Sequence, residues 1–412
     1  MEYKALGEIA TVTSSKRIFA EQYVNDGIPF YRQKEIIEKH DKKQISDPLF
    51  ISNDVYENIK TKYGIPKQGD LLLSAVGVTL GIPYIVQNEQ FYFKDGNLIW
   101  LKDFNTKINS KYIYYWIDSK FGLASIFIRA IGSAQPALTI DLVKKYKMFF
   151  PKKTIQDKIA NILSRYDEAI ENNSKRIKLL EQMAQNLYKE WFVRFRFPGW
   201  QNAEFENGMP KGWKIQKLEN FGIILESGSR PSGGVDTSLE DGIPSLGAEC
   251  INGLAEFDYS NIKYIPQEFY EKMKRGKNKG NHILLYKDGA YIGKVTLFRN
   301  KFPFEKYAIN EHVFFLNTTN ENYMNWLYFT LNQESYFNLM QNLNRNAAQP
   351  GLSQPDINRI KIRIPSEDVV IKFNEFVEPI LNTVFTLAKA NQNLAKQRDL
   401  LLPRLMSGKL EV

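Results

Sequence analysis

The chain carries one ordered set of short motifs twice, about 214 residues apart. Asp26-Gly27-Ile28-Pro29 returns as Asp241-Gly242-Ile243-Pro244 at an offset of 215. Asp70-Leu71-Leu72-Leu73, followed by Gly81, returns as His282-Ile283-Leu284-Leu285, followed by Gly293, at an offset of 212. Ala134-Gln135-Pro136-Ala137-Leu138 answers Ala348-Gln349-Pro350-Gly351-Leu352, and Lys147-Met148-Phe149-Phe150-Pro151 answers Lys361-Ile362-Arg363-Ile364-Pro365, both at 214. Four matches in one order at a nearly constant spacing mean a duplicated domain. The period is far longer than the 20–50 residues of a solenoid repeat. The small changes in offset are loops of unequal length.

Each copy has two parts. The first, about 1–150 and 210–365, is rich in short apolar runs bounded by Gly, Pro and Asn, which read as strands. Helical stretches interrupt them at 108–128 and 323–343, so the expected class is α+β. The second part loses the turn residues and becomes helical at 154–192 and 368–402. The expected domains are 1–153, a helix at 154–197, 198–366, and a second helix at 367–412.

The first helix has an apolar seam at Ile155, Ile159, Ile162, Tyr166, Ile170, Ile177, Leu180, Ala184, Leu187 and Trp191. The second repeats it 214 residues on, at Val369, Phe373, Phe376, Ile380, Val384, Leu387, Leu394 and Leu401. Steps of three and four make this a coiled-coil or bundle seam. Asn173 and Asn391 are its polar breaks, of the kind that lower stability and fix register. About 36 residues correspond to about 54 Å of helix. Two such seams are expected to bury each other antiparallel, with the two domains related by a pseudo-two-fold axis. The alternative is that each helix packs only on its own domain. Pro379 should kink the second helix and Pro403 should end it.

Net charge bears on the partner. Lys and Arg number 55 and Asp and Glu 46, for a net of +9, and residues 1–200 alone carry +8. A basic chain suits an anionic partner. Cys250 is the sole cysteine, so there is no internal disulfide framework. No apolar run approaches the roughly 20 residues of a membrane span, which fits a cytoplasmic protein. Catalytic patterns are absent: there is no phosphate loop, no Gly-x-Gly-x-x-Gly and no Gly-x-Ser-x-Gly, and His40, His282 and His312 lack ligand spacing. The strings Glu2-Tyr3-Lys4 and Asp41-Lys42-Lys43 have no upstream acid that would make a nuclease metal site. Recognition and assembly therefore fit better than catalysis.

Sequence-specific readers need donors and acceptors that reach base edges, supported by phosphate contacts. The first copy offers Lys16, Arg17, Arg32, Gln33, Lys34, Arg129 and Ser133. The second offers Ser229, Arg230, Ser232, Lys277, Lys279, Arg345 and Asn346. The copies agree at Leu, Gly and Pro scaffold positions and differ in these loops, as two domains reading unlike half-sites would.

The whole pattern resembles the specificity subunit (HsdS) of Type I restriction–modification systems. The resemblance rests on the two-copy layout, both Gly-Ile-Pro motifs, Gly69-Asp70-Leu71-Leu72, and both Ala-Gln-Pro motifs. It rests also on the connector from Leu187 to Phe195, Met209-Pro210-Lys211-Gly212-Trp213, and the tail from Arg398 to Gly408. The first copy departs from it: it lacks the Pro-x-Gly-Trp opening and starts at Leu6, matching Leu218, at the expected loss of a strand or arm. The resemblance implies a subunit with no catalysis or cofactor of its own. Each globular copy would read one half of a split double-stranded DNA sequence, and the helices would set the spacing. Two modification subunits would carry S-adenosylmethionine and methylate adenine at N6. Two restriction subunits would use ATP and Mg to translocate and cut. Other readings are the bipartite DNA-binding component of another phage-defence system and a non-catalytic coiled-coil scaffold.

Overall fold

The short apolar runs form strands in both copies. In the computed structural model the first copy contains β1 (Glu2–Ala5), β2 (Thr11–Thr13), β3 (Tyr23–Val24), β4 (Ile28–Tyr31), β5 (Leu49–Ile51), β6 (Leu71–Ser74), β7 (Pro83–Ile85), β8 (Tyr92–Phe93), β9 (Leu98–Lys102) and β10 (Lys147–Phe150). After the hairpin β11 (Phe205–Glu206) and β12 (Met209–Pro210), the second contains β13 (Lys214–Lys217), β14 (Ile223–Ser227), β15 (Ile243–Leu246), β16 (Tyr264–Ile265), β17 (His282–Tyr286), β18 (Val295–Phe298), β19 (Ala308–Ile309), β20 (Val313–Thr318) and β21 (Lys361–Ile364). The structure describes residues 2–128, 130, 136–236, 238–343 and 351–410. They divide into two units, 1–169 with 394–412 and 170–393. The boundaries fall inside the two long helices.

Among the described residues, the sheet orders repeat. Strands β2-β9-β6-β7 form one sheet in the first copy and β14-β20-β17-β18 form its counterpart in the second. A smaller sheet, β5-β4-β8 with β3 at its edge, answers β16-β15-β19. In each the last pair, β4 with β8 and β15 with β19, is parallel. The centre of each larger sheet is a continuous apolar run: Leu71, Leu72 and Leu73 are 0% exposed, as are Ile283, Leu284 and Leu285. Burial on both faces explains why these strands show no alternation in sequence.

The opening strand of the first copy is present. β1 pairs antiparallel with β10, Glu2 opposite Phe150, just as β13 pairs with β21, Lys214 opposite Ile364. In the second copy the Pro-x-Gly-Trp stretch begins in the β11–β12 hairpin and ends at Trp213. That tryptophan is buried against Phe192 and Phe197.

The two long helices are Lys153–Tyr188, continued by a π-turn at Lys189–Val193, and Glu367–Met406. Within the second unit they run antiparallel. Asn173 Nδ2 donates to Asn391 Oδ1 at 2.9 Å, while Tyr188 and Trp191, further along the first helix, meet Phe373 near the start of the other. Within the first unit Arg398 Nη1 reaches Asp167 Oδ1 at 2.6 Å, and Ile159 and Leu163 share a core with Leu402 and Leu405. The seam is broader than its three-four pattern. Val370, Val377, Leu381 and Phe385 are 0% exposed although none is a seam position, because this part of the last helix also packs on the globular core of its unit. Pairing and packing on a domain thus occur together. The last helix runs through Pro379 and, contrary to expectation, through Pro403. Leu405, beyond that proline, is 2% exposed, and its burial carries the helix on to Met406.

The two polar breaks in the seam satisfy each other. Asn391 Nδ2 also lies 3.1 Å from Ser174 Oγ. Asn391→Leu alone orphans a half-buried amide and should cost about 1–3 kcal/mol. Asn173→Leu combined with Asn391→Leu should melt above the single variant, since a polar seam residue fixes register at a cost in stability. Thermal melts of the three chains check this. A double variant no more stable than the single one would remove the asparagine pair from any role in register.

Candidate nucleic-acid interface

The loop candidates sit at matching places on the two scaffolds. Lys16 and Arg17 follow β2, and Ser229, Arg230 and Ser232 follow β14; all five are exposed. Arg17 Nε pairs with Asp95 Oδ2 at 2.7 Å and Arg230 Nε with Glu311 Oε1 at 2.6 Å. Asp95 lies in the turn between β8 and β9, and Glu311 in the turn between β19 and β20. The duplication therefore preserves an ion pair that ties the first loop to a turn beside it. Such exposed pairs add little stability; their effect is to hold loops. Each pair engages Nε, so the Nη groups of the same guanidinium can still meet a phosphate or base. Lys16 Nζ stands 5.4 Å from the centre of the Tyr63 ring, a contact that orients the ammonium and leaves its charge outward.

Arg32 and Gln33 are occupied within the domain. Arg32 Nη2 contacts Glu35 Oε1 at 2.5 Å and Asp47 Oδ2 at 2.9 Å, and Glu35 is fully buried. A buried carboxylate needs such a partner, so Arg32 serves the fold. Gln33 Nε2 donates to Val76 O at 2.7 Å and to Thr79 Oγ1 at 3.2 Å, clamping the β6–β7 hairpin. Lys34 is exposed and has no ion pair among the described residues. Gln33, Lys34 and Lys43 face Val76, Thr79 and Asn97 across an open cleft of about 450 Å³. Thr79 and Asn97 line this cleft and are not among the residues the sequence singled out.

In the second copy Lys277 Nζ donates to Glu271 O at 3.0 Å and lies over the Tyr270 ring at 4.8 Å, whereas the Lys279 side chain is exposed. The run 272–279 thus mixes a docked lysine with a free one. Arg129, Ser133, Arg345 and Asn346 lie outside the described residues, as do Ala134-Gln135 and 348–350. Just past these motifs, Ala137 bridges Val76 and Gly351 bridges Asp288, so in each copy the chain after Ala-Gln-Pro closes onto the hairpin of the larger sheet. The sequence signal for these hairpins is the recurrence of Gly81 at Gly293, four residues after Gly77 and Gly289.

Neither the cysteine nor the buried histidine of the second copy is set up for covalent chemistry. Burial pushes the Cys250 thiol up to about 12, so it stays protonated at neutral pH and is a poor nucleophile. Burial lowers His282 as a base, against a hydrogen bond to the Asn317 side chain that favours the protonated ring. Among the described residues no three His, Cys, Asp or Glu side chains gather as metal ligands, and no helix is long and apolar enough to cross a membrane.

A doubled α+β scaffold with unlike loops and paired helices narrows the comparison to proteins built the same way. Residues 1–182 and 210–394 match the Type I restriction modification DNA specificity domain. The chain belongs to that family. The two matched stretches are the two copies, each with most of the long helix that comes after it. The Type I restriction enzyme MjaIX specificity subunit of Methanocaldococcus jannaschii is 28% identical over 321 residues, 74% of this chain and 69% of that one. The MjaVIII specificity subunit of the same organism is 21% identical over 87% of this chain and 83% of its own length. A crystal structure of a Type-I restriction-modification system S subunit from M. genitalium shares the fold, with a TM-score of 0.59 at 16% identity over 98% of this chain and 95% of that one. As a member of the Type I specificity family, the chain is the DNA sequence-recognition subunit of a restriction–modification system.

Proposed function

We propose that each globular copy reads one half of a bipartite double-stranded DNA sequence, and that the paired helices set the gap and dock two modification subunits. The observation that carries this is the repetition of one strand order under unlike loops: β2-β9-β6-β7 and β14-β20-β17-β18 present different side chains from equivalent positions. One scaffold carrying two loop sets is what reading two half-sites requires. In this proposal the chain works in the cytoplasm. S-adenosylmethionine is bound by the modification subunits, which methylate adenine at N6, and ATP and Mg by two restriction subunits. The exposed Lys16, Lys34 and Lys279 supply phosphate contacts, with Arg17 and Arg230 contributing through their Nη groups. Ser229 and Ser232 are placed as adaptable hydrogen-bonding groups. Arg129, Ser133, Arg345 and Asn346 complete the proposed set, while Arg32, Gln33 and Lys277 position the loops.

The test is to co-produce the chain with its adenine methyltransferase subunit and map methylated adenines across a genome. The expected result is one two-part motif with a constant gap and a methylated adenine in each half. A contiguous motif, or the same methylation without this chain, would overturn the proposal.

A further inference from the structure

Two hairpins, one in each copy, are built alike. The β6–β7 turn is bracketed by Gly77 and Gly81 at φ +77° and +87°, and the β17–β18 turn by Gly289 and Gly293 at +127° and +88°. Glycine at these angles lets the chain reverse tightly without the strain an L side chain would bring. The first tip is pinned on several sides. The Ile82 N–H donates to Ser74 Oγ and the Gly81 N–H to Ser74 O, both at 2.8 Å. Gln33 clamps Val76 and Thr79, the Gly77 N–H donates to Pro136 O at 3.0 Å, and the Leu138 N–H donates to Ala75 O at 2.8 Å. In the second copy the Gly293 N–H donates to Tyr286 O at 2.9 Å, and the Lys287 N–H to His312 O at 3.0 Å. The Leu352 N–H donates to Lys287 O at 2.9 Å.

These fixed tips hold apolar side chains outside. Val78 is 93% exposed and Tyr291 is 58% exposed. One exposed apolar side chain means little. Here both lie between the two bracketing glycines, Val78 one residue after Gly77 and Tyr291 two after Gly289, on the hairpin that each copy braces with the segment after its Ala-Gln-Pro motif, so the construction repeats while the exposed position shifts by one. Each tip also has a cation beside it. Lys34 lies in the cleft with Val76 and Thr79, and Lys294 Nζ stands 4.9 Å from the centre of the Tyr291 ring.

We infer that these hairpins are the groove-entering elements of the two domains, and that Val78 and Tyr291 meet base edges, one in each half-site. The inference rests on the half-site reading proposed above and adds which element inserts. An aliphatic side chain packs against a thymine methyl in the major groove. An aromatic ring packs on a base step, and a neighbouring lysine neutralises phosphate. A tip already held by its own domain loses little freedom on binding.

The experiment uses the full chain assembled with its modification subunit and a pool of duplexes carrying two randomised tracts. Enriched sequences are read for the wild type, Val78→Ser, Tyr291→Ala and Lys34→Ala. Both tip side chains are exposed, so melting temperatures should not move. Val78→Ser should relax base preference on the order of tenfold at positions in one half only, and Tyr291→Ala should do so in the other half only. Lys34→Ala should weaken all sequences alike and reduce the salt dependence. A wild type that enriches a two-part motif which both tip variants leave unchanged would overturn the inference alone. A wild type that enriches no motif would overturn the half-site reading and this inference with it.

Discussion

Phe373→Ala should destabilise the second unit by about 3–5 kcal/mol, the range for truncating a buried aromatic side chain. Phe373 is 0% exposed, and the rings of Tyr188, Trp191, Phe192 and Phe329 surround it at centroid distances of 6.5, 5.9, 5.0 and 6.1 Å. Three of these rings come from the end of the central helix and its π-turn. The fourth comes from the helix Met324–Leu331 of the globular core. One side chain therefore closes a three-way junction within the unit. Phe376, three residues on, is the control. It is 54% exposed and meets Trp191 at 5.7 Å, so its truncation should cost about 1 kcal/mol, the worth of one aromatic pair. Denaturant unfolding followed by tryptophan fluorescence separates the two, since Trp191, Trp213 and Trp326 all lie in this unit. Equal losses for both variants would contradict the junction.

Phe373 and Phe376 also mark where sequence reading stops. Both lie on the three-four seam, and the pattern assigns them the same face. It cannot tell that one points into a junction and the other to its edge, because periodicity fixes direction around an axis and not the identity of the neighbour. The duplication, the strands and both long helices were legible because each rests on local pattern or on comparison of the chain with itself. The opening strand Glu2–Ala5 was missed because its reason for being a strand, pairing with Lys147–Phe150, lies far along the chain. The same limit applies at Asp70 and His282, which the repeat aligns despite their unlike chemistry. Asp70 accepts from Trp100 Nε1 at 2.9 Å, whereas His282 stacks on Phe315 at 4.1 Å. Each residue is matched to a partner on the neighbouring strand, β9 or β20, so the pair differs between copies while its place is kept. Among the site candidates, composition and loop position single out Lys16, Lys34 and Lys279, which the fold leaves exposed. They could not show that Arg32 is held by Glu35, nor that Gln33 is spent on a hairpin, because both partners are set by tertiary packing.

Arg299→Ala is the second large effect, expected at about 3 kcal/mol. That is the low end of the range for removing one partner of a buried pair, because Glu378 keeps 40% of its side chain exposed while that of Arg299 keeps 7%. Arg299 Nη2 lies 2.6 Å from Glu378 Oε2 and 3.1 Å from Asn382 Oδ1, and Asn325 Nδ2 donates to Glu378 Oε1 at 2.7 Å. Asn374, Glu378 and Asn382 succeed one another at four-residue steps on one face of the last helix, and this network docks that face on the domain. Removing the guanidinium leaves a carboxylate half-buried with one amide donor. Replacing both partners, Arg299→Met with Glu378→Leu, should recover most of the loss, since no unpaired charge remains. The pH dependence has a definite sign. Burial alone would raise the Glu378 carboxyl, but the hydrogen bonds from Arg299 and Asn325 and the charge of Arg299 outweigh it and hold it below its ordinary value. A carboxyl depressed in the folded state stabilises fully above its unfolded value, about 4.3, and that contribution is lost as pH falls through the folded value. The stability gap between wild type and Arg299→Met should therefore be full at pH 7 and shrink below about pH 4. Urea unfolding of both chains from pH 7 to pH 3 measures it. A gap that stays constant across that span would mean that shape alone, and not the ion pair, docks the helix.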